Sequence, residues 1–389
     1  MALRQWAFAG DITLIGDEPF PPYQRPPLSK AYMKGELAEE RLFFKHASWY
    51  EDQRVELVLA TEATAIDRGA KRIEIEHGGH IDYDALIIAT GSRARKLALP
   101  GADLDNVFEL RTLSDVERIK PTLLDDNNII IVGAGYIGLE AASAAQQMGM
   151  NVTVLEYASR VLERVTSPLI SEFFEHEHRS HGVDVRTDAR LERLVAKDGR
   201  LAAAELAGGT LLPTDVALVG IGIVPNDELA SDAGIDCDDG ILVDRDARTS
   251  DPSIYAAGDC TRRPLVHYDR VERLESVHNA IEQGKLAAAH ILGRPRPVED
   301  CPWFWSDQYD LKLQIAGLSA GYDELVLRGE PGSRKFAAFY LNNGKLLSTD
   351  AINSPAEFIA SKKLIISRAD VDARVLADAS VAMKDIASG

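Results

Sequence analysis

One stretch, residues 128 to 156, restricts the fold of this chain more than any other. It begins Asn-Ile-Ile-Ile-Val-Gly-Ala-Gly-Tyr-Ile-Gly-Leu-Glu, passes through an alanine-rich segment, and closes on Val-Thr-Val-Leu-Glu156. A buried strand, Ile129 to Val132, runs into Gly133, Gly135 and Gly138, then a helix, then a second strand. Gly133 makes a tight turn, Gly135 lets a pyrophosphate approach the backbone, and Gly138 lets the helix pack close to the sheet. Free N–H groups and the positive dipole end then favour an anion at the helix N-terminus. Tyr136 and Ile137 are counted with the glycines as dinucleotide-binding positions. Glu156 stands about 20 residues past the turn, where a carboxylate accepts from an adenosine ribose 2′-OH. That charge repels a 2′-phosphate, so NAD is expected over NADP, with Arg160 the one nearby group that argues otherwise. An ordinary βαβ turn holding nothing is the competing reading. The order strand, glycines, helix, strand, acid weighs against it.

The 389 residues suggest two or three domains, and 46% hydrophobic with 27% charged residues describes a globular chain with ample core. The longest apolar run, Ile129 to Leu139, carries three glycines and ends at Glu140, so no membrane span is expected. Residues Met1 to Asp11 lack the apolar centre of a secretory signal. The three cysteines, Cys237, Cys260 and Cys301, form no Cys-x-x-Cys pair and point to a reducing, cytoplasmic compartment. A net charge of −18 argues against nucleic acid as a partner, though not against an acidic protein that meets a local basic patch.

Along the chain, Asp11 to Asp17 reads as a strand, followed by a proline-rich turn over Pro19 to Leu28. Short strands are expected within Arg54 to Ile66, Lys71 to Glu76 and Tyr83 to Thr90, an irregular connection over Leu97 to Arg111, and a helix over Leu113 to Leu124. Further strands fall within Gly182 to Val185, Asp215 to Gly222 and Ser253 to Ala257. A helix over Ser276 to Leu292 precedes a Gly-Arg-Pro-Arg-Pro linker at 293–297. Beyond it, Glu324 to Arg328, Phe336 to Leu341 and Lys345 to Asp350 have hairpin patterns, with helices after them. Asp11 to Glu18 has the character of the second strand of a dinucleotide fold, yet no first strand or glycine turn stands before it, and Met1 to Ala9 reads as the tail of the connecting helix. The chain is therefore expected to start inside a βαβ unit, short by roughly twenty of about thirty residues.

Taken together the motifs resemble the FAD-dependent NADH:ferredoxin reductases of the putidaredoxin and rubredoxin reductase type. The resemblance covers nearly the whole chain. It is carried by Tyr23 to Lys30 (YQRPPLSK), Ala89-Thr90-Gly91, Val132 to Glu140, Gly220 to Asn226 (GIGIVPN), Tyr255 to Cys260 (YAAGDC), Glu275 to Ala280 (ESVHNA) and Pro302 to Tyr309 (PWFWSDQY). It implies an α/β, glutathione-reductase-like fold with two dinucleotide domains (FAD and NAD) and a C-terminal α+β domain. The implied division is 1–112 with 240–300 for FAD, 113–239 for NAD, and 301–389 for the last domain. The glycine turn that holds the FAD pyrophosphate in this family is not found in the sequence, which sets a question over flavin binding but not over the family.

The resemblance also implies roles. Asp259 takes a hydrogen bond from the flavin ribityl chain, and the helix opening at Ser276-Val277 stabilises negative charge at flavin N1/O2 through backbone N–H groups. Asp17 binds the FAD adenosine ribose, with Arg25 near the adenine and Ala63 as a backbone contact. Lys30 lies beside flavin N5, with Glu140 as its pairing partner; a solvated lysine and a helix glutamate are the plain alternative. Gly222, within GIGIVPN, is counted among the cofactor-binding positions. Trp305 shields the flavin edge, against a reading in which Trp303 or Trp305 merely packs the core. NADH would pass hydride to the flavin, which returns electrons singly to a [2Fe-2S] ferredoxin serving a cytochrome P-450 or a ring-hydroxylating oxygenase.

Disulfide reductases and peroxidases of this fold need cysteine beside the flavin, and the turn Pro21 to Lys30 has none. Cys260 reads as a small buried residue. His176, His178 and His181 cluster, but only the last two share a helix face, so a metal is not expected. Lys285, Lys362, Lys363 and Lys384 are candidates for a docking patch. Two other readings stay open: a redox-sensing binding protein like apoptosis-inducing factor, and a flavin-free NAD-binding remnant.

Overall fold

The structure, a computed structural model, describes residues 1–387. The last two residues of the expected C-terminal domain, 388 and 389, lie outside the described residues. Two compact units emerge, each assembled from three stretches: Met1–Gln24, Glu39–Arg93 and Val224–Pro302 in the first, and Arg25–Ala38, Ala94–Ile223 and the chain from Trp303 onward in the second.

The second unit contains the glycine motif. Its strand Asn128–Val132 pairs in parallel with Asn151–Leu155 on one side and Val216–Val219 on the other; Asp184–Arg186 and Val107–Glu109 form the two edges. Ile129, Ile130, Ile131 and Val132 are all buried, which is why the central strand is continuously apolar rather than alternating. The edge strand Val107–Glu109 falls in the stretch expected to be irregular. Three residues are too few to show a period, and only the burial of Val107 and Phe108 reveals the strand. Helix Leu113–Ile119 is shorter than expected, because Pro121 cannot donate a helical N–H and the chain tightens into a 3₁₀ turn over Lys120–Thr122. Its start is fixed by a capping box between Thr112 and Asp115.

The same unit carries a five-stranded antiparallel sheet in the order Trp303–Gln308, Leu311–Gly317, Lys345–Ile352, Lys335–Asn342, Glu324–Glu330. The first two strands were not foreseen. They join through the two-residue turn Tyr309-Asp310, with Tyr309 at φ 55°, and so lack the Asn-Gly signature of a tight hairpin. Both faces of this sheet are buried: Phe336 and Tyr340 turn toward Phe173 and Ser167, while Phe339 falls on the face of its partner Thr349, whose Oγ1 donates to Ser361 Oγ of helix Pro355–Ser367 at 2.8 Å.

In the first unit, Ile12–Ile15 pairs in parallel with Val55–Val58, and Leu86–Ile88 with Ile254–Ala256. A meander of Ala63–Asp67, Arg72–Ile75 and Gly79–Asp82 stands apart. Helix Val277–Ile291 begins at Ser276, whose hydroxyl accepts the Asn279 N–H at 3.1 Å. Leu286 and Ala287 bury its inner face against Tyr255 and Ala247. The N-terminal helical stretch is Ala2–Gln5, with the Arg294 guanidinium 5.3 Å from the Trp6 ring centre.

Candidate functional site

Packing shows why the three glycines of the second unit's turn are glycines. Gly133 adopts φ 103°, and a Cβ there would stand 2.5 Å from the Gly220 carbonyl oxygen. A Cβ on Gly138 would come within 2.1 Å of the Gly133 carbonyl oxygen. Around Gly135 nothing lies within 4 Å of that position, so its backbone is open to a ligand. Helix Tyr136–Gln147 starts at this open point with no side-chain cap. Free N–H groups facing open space fit a bound pyrophosphate.

Glu156 does more than terminate a strand. Its Oε2 accepts the Ala134 N–H at 2.7 Å and its Oε1 accepts that of Ala158 at 2.8 Å, which ties the glycine turn to the loop after the acid. Each oxygen keeps a lone pair for a ribose hydroxyl. Arg160, the group that argued for a 2′-phosphate, is committed elsewhere: it donates to the Thr166 and Glu163 carbonyls at 2.9 and 2.7 Å and to Ser171 Oγ at 2.6 Å. Gly222 adopts φ 103° and accepts the Arg95 N–H at 2.9 Å. Ile137 is exposed. Tyr136 sets its ring centre 4.9 Å from that of Phe304, tilted by 36°, and its buried hydroxyl has no hydrogen-bond partner among the described residues.

On the next turn of the same helix, Glu140 is almost fully buried at 2% exposure. Lys30 Nζ lies 2.5 Å from its Oε2 and 3.2 Å from the Pro26 carbonyl. These are the ammonium's polar partners among the described residues, which leaves one of its three N–H bonds for a ligand. Ser29 donates to Glu140 Oε2 at 2.6 Å, and Ser306 donates to Oε1 at 2.7 Å. The residues that hold the carboxylate, Ser29 and Ser306, were not singled out from the sequence. The signal for Ser306 is a short polar residue in phase with Phe304 and Gln308 along an aromatic strand. Arg25, on the same proline-rich loop, donates to the Arg111 carbonyl at 2.8 Å. Trp305 points to the other face of its strand. It is half-buried with its ring centre 5.5 Å from that of Trp303, which in turn packs on Phe358 at 5.8 Å.

Asp17, Ala63, Asp259 and Val277 fall in the first unit. Asp17 is exposed just beyond strand Ile12–Ile15, and Ala63 pairs with Ile75 at the start of its meander. Asp259 and the helix start are brought together through Gln283. Its Oε1 accepts from the Gly258 N–H and from Thr261 Oγ1, both at 2.8 Å, and from Asn279 Nδ2 at 3.0 Å. Ser92 donates to Asp259 at 3.0 Å. Gly258 turns at φ 90°, and the buried Gln283 Nε2 has no partner among the described residues. A glycine turn, a half-buried carboxylate, a helix N-terminus and an orphaned buried N–H fit the polar chain of a flavin.

None of the three cysteines is bonded to another. Burial pushes the Cys260 thiol up and the Cys237 thiol up to about 11, so neither is a thiolate near neutral pH. The histidines split: His178 and His181 meet at Tyr309, the first hydrogen-bonded to its hydroxyl at 3.0 Å and the second stacked on its ring at 3.8 Å. No His, Cys, Asp and Glu grouping among the described residues has the form of a metal site. Of the candidate docking lysines, Lys285, Lys363 and Lys384 are exposed, while Lys362 lies 5.8 Å over the Trp303 ring.

A parallel sheet with this turn, joined in one unit to an antiparallel C-terminal sheet, is the frame of a dinucleotide-dependent oxidoreductase. The comparisons with known proteins agree. Residues 1–284 match the family described as pyridine nucleotide-disulphide oxidoreductase, and residues 303–387 match the reductase C-terminal family. A probable ferredoxin reductase, CtmF, of Castellaniella defragrans is 43% identical over 100% of this chain and 95% of its own length. Putidaredoxin reductase CamA of Pseudomonas putida is 42% identical over 99% of this chain and 92% of its own. The solved covalent putidaredoxin reductase–putidaredoxin complex superposes with a TM-score of 0.97 at 42% identity, covering 100% of this chain and 94% of that one. The chain belongs to the pyridine nucleotide-disulphide oxidoreductase family, in the branch that ends in a reductase C-terminal domain, and has its two-dinucleotide-domain fold.

Proposed function

We propose that this chain is a ferredoxin–NAD(+) reductase: NADH reduces FAD, and the electrons leave for a [2Fe-2S] ferredoxin that serves a cytochrome P-450 or a ring-hydroxylating oxygenase. The observation that carries the reading is the pair between the half-buried Lys30, at the end of the proline-rich turn, and the buried Glu140 of the dinucleotide helix, in a chain with no cysteine across Pro21 to Lys30. Full-length relatives named as a ferredoxin reductase and a putidaredoxin reductase support it.

When bound, FAD supplies two-electron acceptance and one-electron release. The protein's part is to hold and polarise. Gly135 would offer the NADH pyrophosphate an open backbone, with Gly133 and Gly138 packing the turn and Tyr136 and Ile137 opening the helix beside it; Glu156 would select an unphosphorylated ribose, and Gly222 would border the nicotinamide. Lys30 would present positive charge near flavin N5, with Glu140 fixing the ammonium. Asp259 would accept from the ribityl chain, the backbone at Val277 would stabilise charge at flavin N1/O2, and Asp17, Arg25 and Ala63 would take the adenosine end. Trp305 would screen the flavin edge. The proposed division is a flavin domain of 1–112 with 240–300, a nicotinamide domain of 113–239 and a C-terminal domain of 301–389. Within the first of these stretches, Val107–Glu109 pairs with Ala217–Val219 of the nicotinamide sheet, so that strand goes with the nicotinamide domain rather than the flavin domain. The proposed compartment is the cytoplasm, supported by three unbonded cysteines. No described helix is long and apolar enough to cross a membrane, and the net charge of −18 disfavours nucleic acid.

The test is NADH-driven reduction of cytochrome c by the flavin-loaded protein with and without a [2Fe-2S] ferredoxin. A large ferredoxin-dependent rise is expected. NADH oxidation without that dependence would favour the redox-sensing reading, and a colourless protein inert to NADH the remnant.

A further inference from the structure

We infer that Tyr309, His178, Gln308 and Ser306 form a one-way hydrogen-bond chain that positions Glu140 and, through it, Lys30. The inference rests on the role proposed above for the Lys30–Glu140 pair and adds positioning residues that act through Glu140.

The direction of the chain follows from its Glu140 end. A carboxylate paired with an ammonium only accepts, so the single Ser306 proton goes to Glu140 Oε1, at 2.7 Å. Ser306 Oγ must then accept from Gln308, which places the amide nitrogen toward it at 3.2 Å and leaves the amide oxygen facing His178 at 2.8 Å. An amide oxygen only accepts, so His178 carries its proton on Nε2. Burial pushes the imidazole down to about 4, so it stays neutral and Nδ1 is an acceptor. Tyr309, whose phenol burial keeps protonated, donates to Nδ1 at 3.0 Å. Four successive donations therefore run one way and end on one carboxylate oxygen.

From His178 to Glu140 this route is sealed from water, while Tyr309 is half-buried. His178 is 0% exposed, Gln308 and Ser306 1%, and Glu140 2%. In a low-dielectric interior each donation polarises the next, and a broken link leaves buried polar atoms without partners. Ser306 and Gln308 lie on one face of strand Trp303–Gln308, His178 on helix Pro168–Ser180 and Glu140 on helix Tyr136–Gln147, so regular elements hold the chain from His178 to Glu140, and Tyr309 joins it from the adjoining hairpin turn.

Gln308→Met, Ser306→Ala and the double variant test the chain in the flavin-loaded protein. Stopped-flow absorbance gives the rate of flavin reduction and the NADH affinity. Labelling of Lys30 by an amine-acylating reagent, read by mass spectrometry, reports how firmly the ammonium is held whether or not flavin is bound. Each single variant is expected to slow flavin reduction and speed Lys30 labelling by roughly three- to tenfold, the effect of about one buried hydrogen bond, with NADH affinity unchanged. Because Gln308 acts only through Ser306, the double variant should be no worse than Ser306→Ala. Wild-type labelling in Gln308→Met, or additive losses in the double variant, would overturn the chain. Lys30→Met separates the two layers: unchanged flavin reduction there would defeat the role given to Lys30, while the labelling results still judge the chain.

Discussion

His178 makes its own burial measurable. The folded protein holds it neutral between Gln308 and Tyr309, with the imidazole pushed down to about 4, whereas in the unfolded chain it titrates near the ordinary value of about 6.5. Below that value the unfolded state binds a proton the folded state refuses, so stability is full above about pH 6.5 and is lost as pH falls toward 4. A displacement of roughly 2.5 pH units at about 1.36 kcal/mol each amounts to ~3 kcal/mol. Asp350 titrates in an overlapping window with the opposite sign. Burial lifts its carboxyl to about 6, so its contribution is present at low pH and lost as pH rises through that value. The experiment is therefore a difference: urea unfolding of wild type and of His178→Phe between pH 7.5 and pH 4. Asp350 is common to both proteins and cancels. The advantage of wild type should shrink by ~3 kcal/mol across that range. A gap that stays constant with pH would mean the imidazole is not held neutral, and the hydrogen-bond directions built on it would fall as well.

Two further substitutions probe the nucleotide turn. Glu156→Arg removes the carboxylate that repels a 2′-phosphate, so the NADPH to NADH preference should rise by about tenfold or more, an energy of ~1.4 kcal/mol. Absolute efficiency should fall because Glu156 also holds the Ala134 and Ala158 N–H groups, and an unchanged preference in steady-state kinetics would contradict its placement. Gly138→Ala forces a methyl to within 2.1 Å of the Gly133 carbonyl oxygen, where only backbone can yield. Weakened NADH binding and a loss of roughly 1–3 kcal/mol in thermal or urea unfolding are expected, and an alanine variant with wild-type NADH affinity would refute the packing role.

What the sequence disclosed depended on how local the cause was. The strand, glycines, helix and Glu156 lie within one short stretch and each obeys a rule about its neighbours, so the motif was legible and even the separate work of the glycines followed. Short pieces were not. Val107–Glu109 is a strand because it finds a sheet edge beside Val216–Val219, a partner over a hundred residues away. The first hairpin of the C-terminal sheet turns on Tyr309-Asp310, where tertiary packing overrides the turn chemistry that usually announces a hairpin.

The candidate site divides along the same line. Lys30 and Glu140 are 110 positions apart, and spacing alone allowed them to be a solvated lysine and a helix glutamate. Resemblance joined them on paper, but only the fold gives the pair physical content, because a carboxylate at 2% exposure is tolerable only if its lone pairs are met. Ser29 and Ser306 meet them, Gln308 in turn satisfies Ser306, and His178 satisfies Gln308. Apart from His178, which the sequence offered only as a metal candidate, none of these residues advertises chemistry by type. Their importance follows from burial, since a buried charge obliges the structure to supply donors, and those donors, once buried, oblige it to supply more. A reading that stops at the charged pair therefore leaves out the residues that decide where the charge points.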